Sequence, residues 1–244
     1  KGFQCCAAAM ARPLVTAGKI PKLKLTYFNI QGAAEKVRLA FVLGAVPFDD
    51  VRVPFPEWPA LKPTTPYGQL PLLTIDDGEP MAQSDAMLRY AGVLAQANGV
   101  FLYPPANMLV VEEALGLVGD LSRAWRTPVG IGINPTGYGY PADFKGTDAH
   151  AVVVKSVREN FVAEALPKYM GFLQTRLAGS GGFLCGPAPT IADAALVPIL
   201  NRLRCGQVDH VPTDCLDAHI EVCAYLERFM AIPQVKSYYD AQSQ

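Results

Sequence analysis

KLKLTYFNIQGAAEKVRLAFVLG, residues 22–44, decides the fold. Apolar or aromatic side chains at Leu23, Leu25 and Tyr27 alternate with Lys24 and Thr26, the period of a half-buried strand running from Lys22 to Phe28. The period then changes. Val37, Leu39, Ala40, Phe41 and Leu43 fill a mostly buried helix from Ala33 to Leu43, and Gly44 closes it. Phe48 to Val53 reads as a second strand. Pro54 to Pro66 carries five prolines, so it is expected to be loop with at most one helical turn. PYGQLPLLTIDDG, residues 66–78, supplies a third strand, Leu70 to Ile75, and a hairpin signal at Asp77-Gly78. Met81-Ala82 makes a short fourth strand, and Ser84 caps a helix that runs to about Asn98 and stops at Gly99. The order is β-α-β-β-β-α, the thioredoxin-like order. Leu70-Pro71 is a candidate cis bond, which is tolerable only before proline and can expose the preceding residue's backbone to an extended ligand.

From Met108 onward the periodicity is helical. Met108 to Arg126 and Ala149 to Leu177 are long helix candidates, and Thr127 to Asp148, rich in Gly and Pro, is expected to be a loop between them. Gly179 to Gly182 is a turn. Thr190 starts another helix with Asp193 as its capping-box partner. Leu216 to Met230 and Gln234 to Tyr239 complete the set. The expected fold class is α/β plus all-α: a thioredoxin-like βαβ-ββα domain over residues 22–99, then an all-helical domain over residues 107–244. Residues 1–21 precede both. They are Ala-rich, lack acidic residues and contain Lys1, Arg12 and Lys19. They fit either a targeting remnant or a flexible extension, so the compartment is cytoplasmic by default and an organelle in the first case.

Composition narrows the function classes. Half of the 244 residues are hydrophobic and 18% are charged, which excludes a disordered chain. A formal net charge of −1 gives no basic field for nucleic acid. No apolar run reaches the ~18 residues of a transmembrane helix; Leu109 to Val118 comes nearest and is broken by Glu112 and Glu113. Cys5, Cys6, Cys185, Cys205, Cys215 and Cys223 form no CxxC pair and do not cluster with His150, His210 or His219. No metal site is therefore expected, and the cysteines read as reduced and mostly buried.

Five strings, in order, carry a resemblance. KLTYFN at residues 24–29, with Gly32 and Ala34-Glu35, resembles the opening of the sigma-class glutathione transferases and the related glutathione-dependent prostaglandin D synthases. Trp58-Pro59-Ala60-Leu61-Lys62 resembles the family's WPxxK element, and Pro66 to Pro71 its PFGQLP loop. Gln83-Ser84 with Arg89-Tyr90 is similar to its QSxAIxRYL helix start. Phe183 to Gly186 through Thr190 to Asp193 is similar to its helical-domain capping box. The resemblance spans about Lys22 to Tyr239.

The resemblance implies an enzyme that adds glutathione, as co-substrate, to small hydrophobic electrophiles in detoxification. A free thiol has a pKa near ~8.5, and lowering it by two units takes roughly 2.7 kcal/mol of selective stabilisation of the thiolate. One charge-assisted hydrogen bond offers about 1.5–3 kcal/mol. Tyr27, beside a helix N-terminus, is the implied donor. Trp58 and Lys62 would hold the glycyl end, Lys62 through its charge. Gln69 and the backbone of Leu70 beside Pro71 would hold the middle. Gln83 and Ser84 would receive the γ-glutamyl carboxylate at a helix N-terminus, whose unpaired N–H groups favour anions. Asp120 stands near the place where the family supplies an acidic residue across its dimer. Arg123, Trp125 and the Tyr138–Tyr140 segment would border the electrophile pocket.

One departure matters. The family usually carries arginines where this chain has Gln31 and Ala33, and the second of them supports the tyrosine and the thiolate. Its loss, with Asp85 adding negative charge next to Ser84, predicts a weaker thiol shift and slower conjugation. The same departure opens a second reading, a catalytically weak relative that serves as a binding or structural subunit of a larger assembly. A cysteine-dependent reductase is disfavoured because Tyr27 to Gly32 contains no cysteine. The resemblance also implies a homodimer, the commonest oligomer in general.

Overall fold

The computed structural model describes residues 20–242. The expected N-terminal extension, all but its last two residues, lies outside the described residues, as do Cys5 and Cys6.

β1 (Leu23–Phe28) is the middle strand of a three-stranded sheet ordered β2-β1-β3, with β2 (Asp49–Val53) parallel to it and β3 (Leu72–Ile75) antiparallel. The alternation read from the sequence is observed: Leu23, Leu25 and Tyr27 are buried and Lys24 is exposed. α1 (Glu35–Leu43) follows a 3₁₀ turn at Gly32–Ala34, so the helix proper starts two residues later than expected. α1 and α3 (Ser84–Ala95) pack against each other behind the sheet. A last 3₁₀ turn at Gln96–Asn98 ends at Gly99, whose φ of +73° is the left-handed stop that glycine accepts without strain.

Three expectations for this half need correction. The proline-rich stretch is more helical than one turn: 3₁₀ turns at Phe55–Glu57 and Lys62–Thr64 flank the short α2 (Trp58–Leu61). Pro56, Pro59 and Pro63 each sit at the start of one of these turns, where a missing N–H costs nothing. The fourth strand shrinks to a single antiparallel bridge between Leu73 and Met81. Ser84 is the first helical residue of α3, and Gln83 occupies the cap position without a side-chain cap bond.

The second half is helical throughout. α4 (Met108–Ile133) runs seven residues past the expected end at Arg126. Pro128 lies inside it, and the Arg158 side chain donates Nε–H to the Pro128 carbonyl at 3.1 Å. Gly130 and Gly132 are there for packing: a Cβ on Gly130 would lie 2.0 Å from the Tyr138 hydroxyl, and one on Gly132 2.5 Å from Arg158 Nη2. The expected long loop is thus a short 3₁₀ turn, Pro135–Tyr138, and a connection to α5 (Asp148–Asn160). α5 and α6 (Leu166–Ala178) are joined by a π-helical turn, Phe161–Ala165, because Pro167 cannot donate to the carbonyl four residues back.

α7 (Ile191–Arg204) packs on both α1 and α4 and forms the centre of the molecule. Its capping box is present: the Asp193 carboxylate accepts from Thr190 N–H at 2.7 Å and from Leu184 N–H at 2.9 Å. α8 (Ile220–Met230) starts four residues later than expected, and α9 (Pro233–Gln242) returns to α1. Among the described residues no helix is long and apolar enough to cross a membrane. Of the described cysteines, Cys185, Cys215 and Cys223 are half-buried and Cys205 is exposed, so the expectation of mostly buried thiols is not met.

Candidate functional site

Strand register places the site. In the β1–β3 pair Thr26 faces Leu72, and the bridge sets Leu73 opposite Met81. Continuing both registers puts Tyr27, Pro71 and Gln83 in one row across the end of the sheet. Neighbouring strands lie about 4.8 Å apart, so the row spans roughly 10 Å. Three extended residues also span about 10 Å. The Leu70-Pro71 peptide is cis. Leu70 makes no backbone hydrogen bond among the described residues, so its N–H and C=O are open to an extended ligand.

Tyr27 stands at one end of the row. Its ring is buried, 8% exposed, and its hydroxyl reaches the turn at residues 31–33, which is exposed to solvent. The phenolic oxygen accepts a hydrogen bond from Ala33 N–H at 3.1 Å, and the hydroxyl proton has no acceptor among the described residues. That turn depends on Gly32, whose φ is +45° and whose missing side chain leaves room for the phenol: a Cβ there would lie 2.5 Å from Oη.

Behind the tyrosine is a buried ionic cluster that the sequence reading missed. Arg38 is fully buried, with its guanidinium carbon 5.7 Å from the Tyr27 ring centroid. It donates Nη1–H to the carbonyls of Ile30 at 2.9 Å and Gln31 at 3.2 Å, and to Glu35 Oε2 at 3.1 Å. Its Nε–H reaches Asp50 at 3.1 Å, and Arg52 pairs with the other Asp50 oxygen at 2.6 Å. Tyr238 of α9 donates to Glu35 Oε2 at 3.4 Å. The signal was available: a Glu-x-x-Arg pair inside a helix otherwise buried on nearly every side needs an internal partner.

Most of the other candidates sit on α2, the turns after it and the start of α3. Trp58 packs edge-on against Phe28, ring centroids 5.5 Å apart, and Phe28 stacks on Phe55 at 4.7 Å. Lys62 is exposed and lies along the turn before Gln69, with Cε 3.4 Å from where a Gly68 Cβ would be. Gln69 is exposed beside Leu70. Gln83 adopts φ +80°, a left-handed conformation that side-chain-bearing residues rarely hold outside ligand clamps and turns. Ser84 then opens α3, and its hydroxyl has no partner among the described residues. Asp85 is paired with Lys36 at 2.5 Å, so the negative charge expected to work against an anion here is offset. Asp120 stands apart: it is exposed on α4 and ion-paired to Arg123 on the same helix.

Besides the packing of α7 and α9 on α1, a fork ties the second half to the first. Arg89 of α3 donates Nε–H to Glu112 Oε1 at 2.7 Å and Nη2–H to Oε2 at 2.6 Å, and Tyr103 adds a hydroxyl donor at 2.7 Å. These bonds hold the Glu112 carboxyl below its usual range, the Arg89 bond most strongly. Trp125, expected at a pocket border, is a core residue packed on Phe161 with centroids 4.8 Å apart. Tyr138 donates to the Arg126 carbonyl at 3.1 Å, and Tyr140 stacks on Phe144 at 4.3 Å. A separate groove of about 840 Å³ lies on the other face of the sheet, lined by Thr26, Val51, Val53, Leu61 and Leu72. Side-chain alternation along β1 turns Thr26 toward it and Tyr27 away.

Comparison with known proteins places the chain in a family. Residues 33–93 match the glutathione S-transferase N-terminal domain family, and residues 147–242 match the glutathione S-transferase C-terminal domain family. Glutathione S-transferase 1 of Ascaris suum is 30% identical over 221 residues, covering 90% of this chain and 96% of that protein. Glutathione S-transferase 4 of Caenorhabditis elegans is 32% identical over the same length, with the same coverage of each chain. The crystal structure of the glutathione S-transferase from Ascaris lumbricoides superposes with a TM-score of 0.71 at 31% identity, covering 91% of this chain and 97% of that one. The structure of prostaglandin synthase D of Nilaparvata lugens gives 0.72 at 25% identity, covering 90% and 98%. The chain belongs to the glutathione S-transferase family.

Proposed function

We propose that this protein is a sigma-like glutathione transferase in which the Tyr27 hydroxyl donates a hydrogen bond to the glutathione thiolate, and that its second substrates are small hydrophobic electrophiles. The row from Tyr27 through Pro71 to Gln83 carries the reading, because its ~10 Å span matches an extended tripeptide. The γ-glutamyl carboxylate sits at the α3 N-terminus on Ser84 and the open N–H groups there, where the helix dipole also favours an anion. The cysteinyl backbone pairs with Leu70 as an added strand. The glycyl carboxylate lies toward Lys62 and Trp58, with Gln69 between.

The sulfur then meets Tyr27. With the phenolic oxygen already accepting from Ala33 N–H, its own proton is free to donate, and a donor that is itself hydrogen-bonded is polarised into a stronger one. No side-chain cation stands at positions 31 or 33, so a main-chain dipole does the work of the usual arginine. A main-chain N–H carries less charge than a guanidinium, so the thiol shift stays modest. The active unit is a homodimer, with Asp120 meeting the ligand's amino group in the other subunit's site.

Retention on immobilised glutathione tests binding, and turnover of a chlorodinitrobenzene-type substrate by wild type and Tyr27→Phe tests the mechanism. Loss of one charge-assisted hydrogen bond of about 1.5–3 kcal/mol corresponds to a roughly 10- to 150-fold lower kcat/KM for Tyr27→Phe. Equal rates in two variants that both bind glutathione would move the protein to the second reading, a non-catalytic binding subunit.

A further inference from the structure

We propose that Arg38 is a positioning residue for the thiolate site: it fixes the turn at residues 30–33 so that Ala33 N–H supports the Tyr27 hydroxyl. This rests on the assignment of Tyr27 as the sulfur's donor. The turn contains two carbonyls, Ile30 and Gln31, that point inward, and one guanidinium nitrogen binds both. The next residues are Gly32, shaped around the phenol, and Ala33, whose N–H reaches Oη. Arg38, the turn and the tyrosine form one closed chain of contacts.

Charge counting decides between a positional and an electrostatic role. Glu35 and Asp50 carry two negative charges, and Arg38 and Arg52 carry two positive charges. The cluster has no net charge to replace a lost cation, and Arg38, its member against the Tyr27 ring, has its own charge offset by Glu35 and Asp50 at 3.1 Å each. What it provides is rigidity. Arg38 has no exposed surface, its fork is held on one side by Glu35 and on the other by Asp50, and α9 adds the Tyr238 contact to Glu35. The cluster is not fully matched, since Arg38 Nη2 and Glu35 Oε1 are buried without a hydrogen-bond partner among the described residues. Retaining an incompletely paired ion pair beneath a tyrosine is costly for stability, and a positioning duty gives it a reason.

Arg38→Lys keeps the charge but cannot span two carbonyls and two carboxylates with one ammonium. Ala33→Pro deletes the N–H and sets ring Cδ against the Tyr27 hydroxyl in its place, so the main-chain support is lost however the exposed turn settles. Each is compared with wild type for the pH midpoint of bound-glutathione thiolate absorbance and affinity for S-methylglutathione, and Arg38→Lys also for hydrogen exchange of the Ala33 amide without ligand. The expected result is a midpoint higher by about one pH unit in both, hence about ten-fold less thiolate below the midpoint. S-methylglutathione affinity stays unchanged, and Ala33 exchange accelerates in Arg38→Lys. A folded Arg38→Lys with wild-type exchange and midpoint overturns the proposal; if that variant does not fold, a wild-type midpoint in Ala33→Pro overturns it. If wild-type protein never ionises glutathione, the Tyr27 assignment fails, while the exchange measurement still judges the positioning.

Discussion

Gly32→Ala removes no functional group, yet it attacks the site at its tightest point. The added Cβ would lie 2.5 Å from Tyr27 Oη, 2.8 Å from Cε1 and 3.0 Å from Cζ. Ordinary contact begins near ~3.5 Å, so the hydroxyl must retreat by about 1 Å. The ring cannot rotate out of the way, because it is buried between Phe28 and Arg38. Two costs follow. Holding alanine at φ +45° costs about 1–2 kcal/mol, which lowers the melting temperature by roughly 2–8 °C in a chain of this size. Displacing the donor by about 1 Å costs roughly 100-fold in the chemical step. The assay is kcat/KM with a chlorodinitrobenzene-type substrate, beside the thiolate titration and S-methylglutathione affinity, at a temperature where the variant is folded. The two costs separate in that design: strain alone lowers the melting temperature and leaves the thiolate untouched. A folded Gly32→Ala protein within about two-fold of wild-type kcat/KM would refute the assignment of Tyr27, since the donor would then have moved without consequence.

Two further predictions concern the edges of the site. Lys36→Met leaves Asp85 uncompensated beside Ser84, and an extra charge at several ångströms in a largely aqueous setting is worth about 0.5–1 kcal/mol. The glutathione KM then rises two- to five-fold, and Asp85→Asn on the same background restores it; an unchanged KM would mean that the α3 N-terminus does not hold the anion. Glu112 has its carboxyl held low by Arg89, so it stabilises the fold above its unfolded value and loses that contribution as pH falls through the folded one. Wild type therefore loses up to about 1 kcal/mol relative to Glu112→Gln between about pH 5 and pH 3, the half-exposed setting of the fork limiting the size. Parallel denaturation curves of the two proteins across that range would contradict this.

What was legible in the sequence was local. The change from alternation to helical period between Phe28 and Val37 identifies β1 and α1 because each residue's burial there follows from its own element's geometry. The Thr190–Asp193 capping box is equally local, three residues apart. Pro128, Gly130 and Gly132 misled for the opposite reason. Read alone they break a helix; in the fold, Tyr138 and Arg158 occupy the spaces the glycines leave, and Arg158 binds the Pro128 carbonyl. Their meaning lies in partners that sequence period cannot supply.

The site divides along the same line. Tyr27, Leu70-Pro71 and Gln83-Ser84 are recognisable as strings, but their alignment in one row comes from two strand registers: a slip of one residue in the first would part Tyr27 from Pro71, and one in the second would part Pro71 from Gln83. Arg38 was hidden for a subtler reason. A charged residue in an amphipathic helix is by default assigned to the solvated face, and here α1 has no such face at that position, because α3, α7 and α9 all pack against the helix. The surrounding helices force the guanidinium inward, and once inside it has to find carbonyls and carboxylates. The carbonyls it finds belong to the turn whose Ala33 N–H reaches the Tyr27 hydroxyl. On the proposed function, the helical domain therefore supports the Tyr27 site from behind, by burying the residue that holds the turn in place.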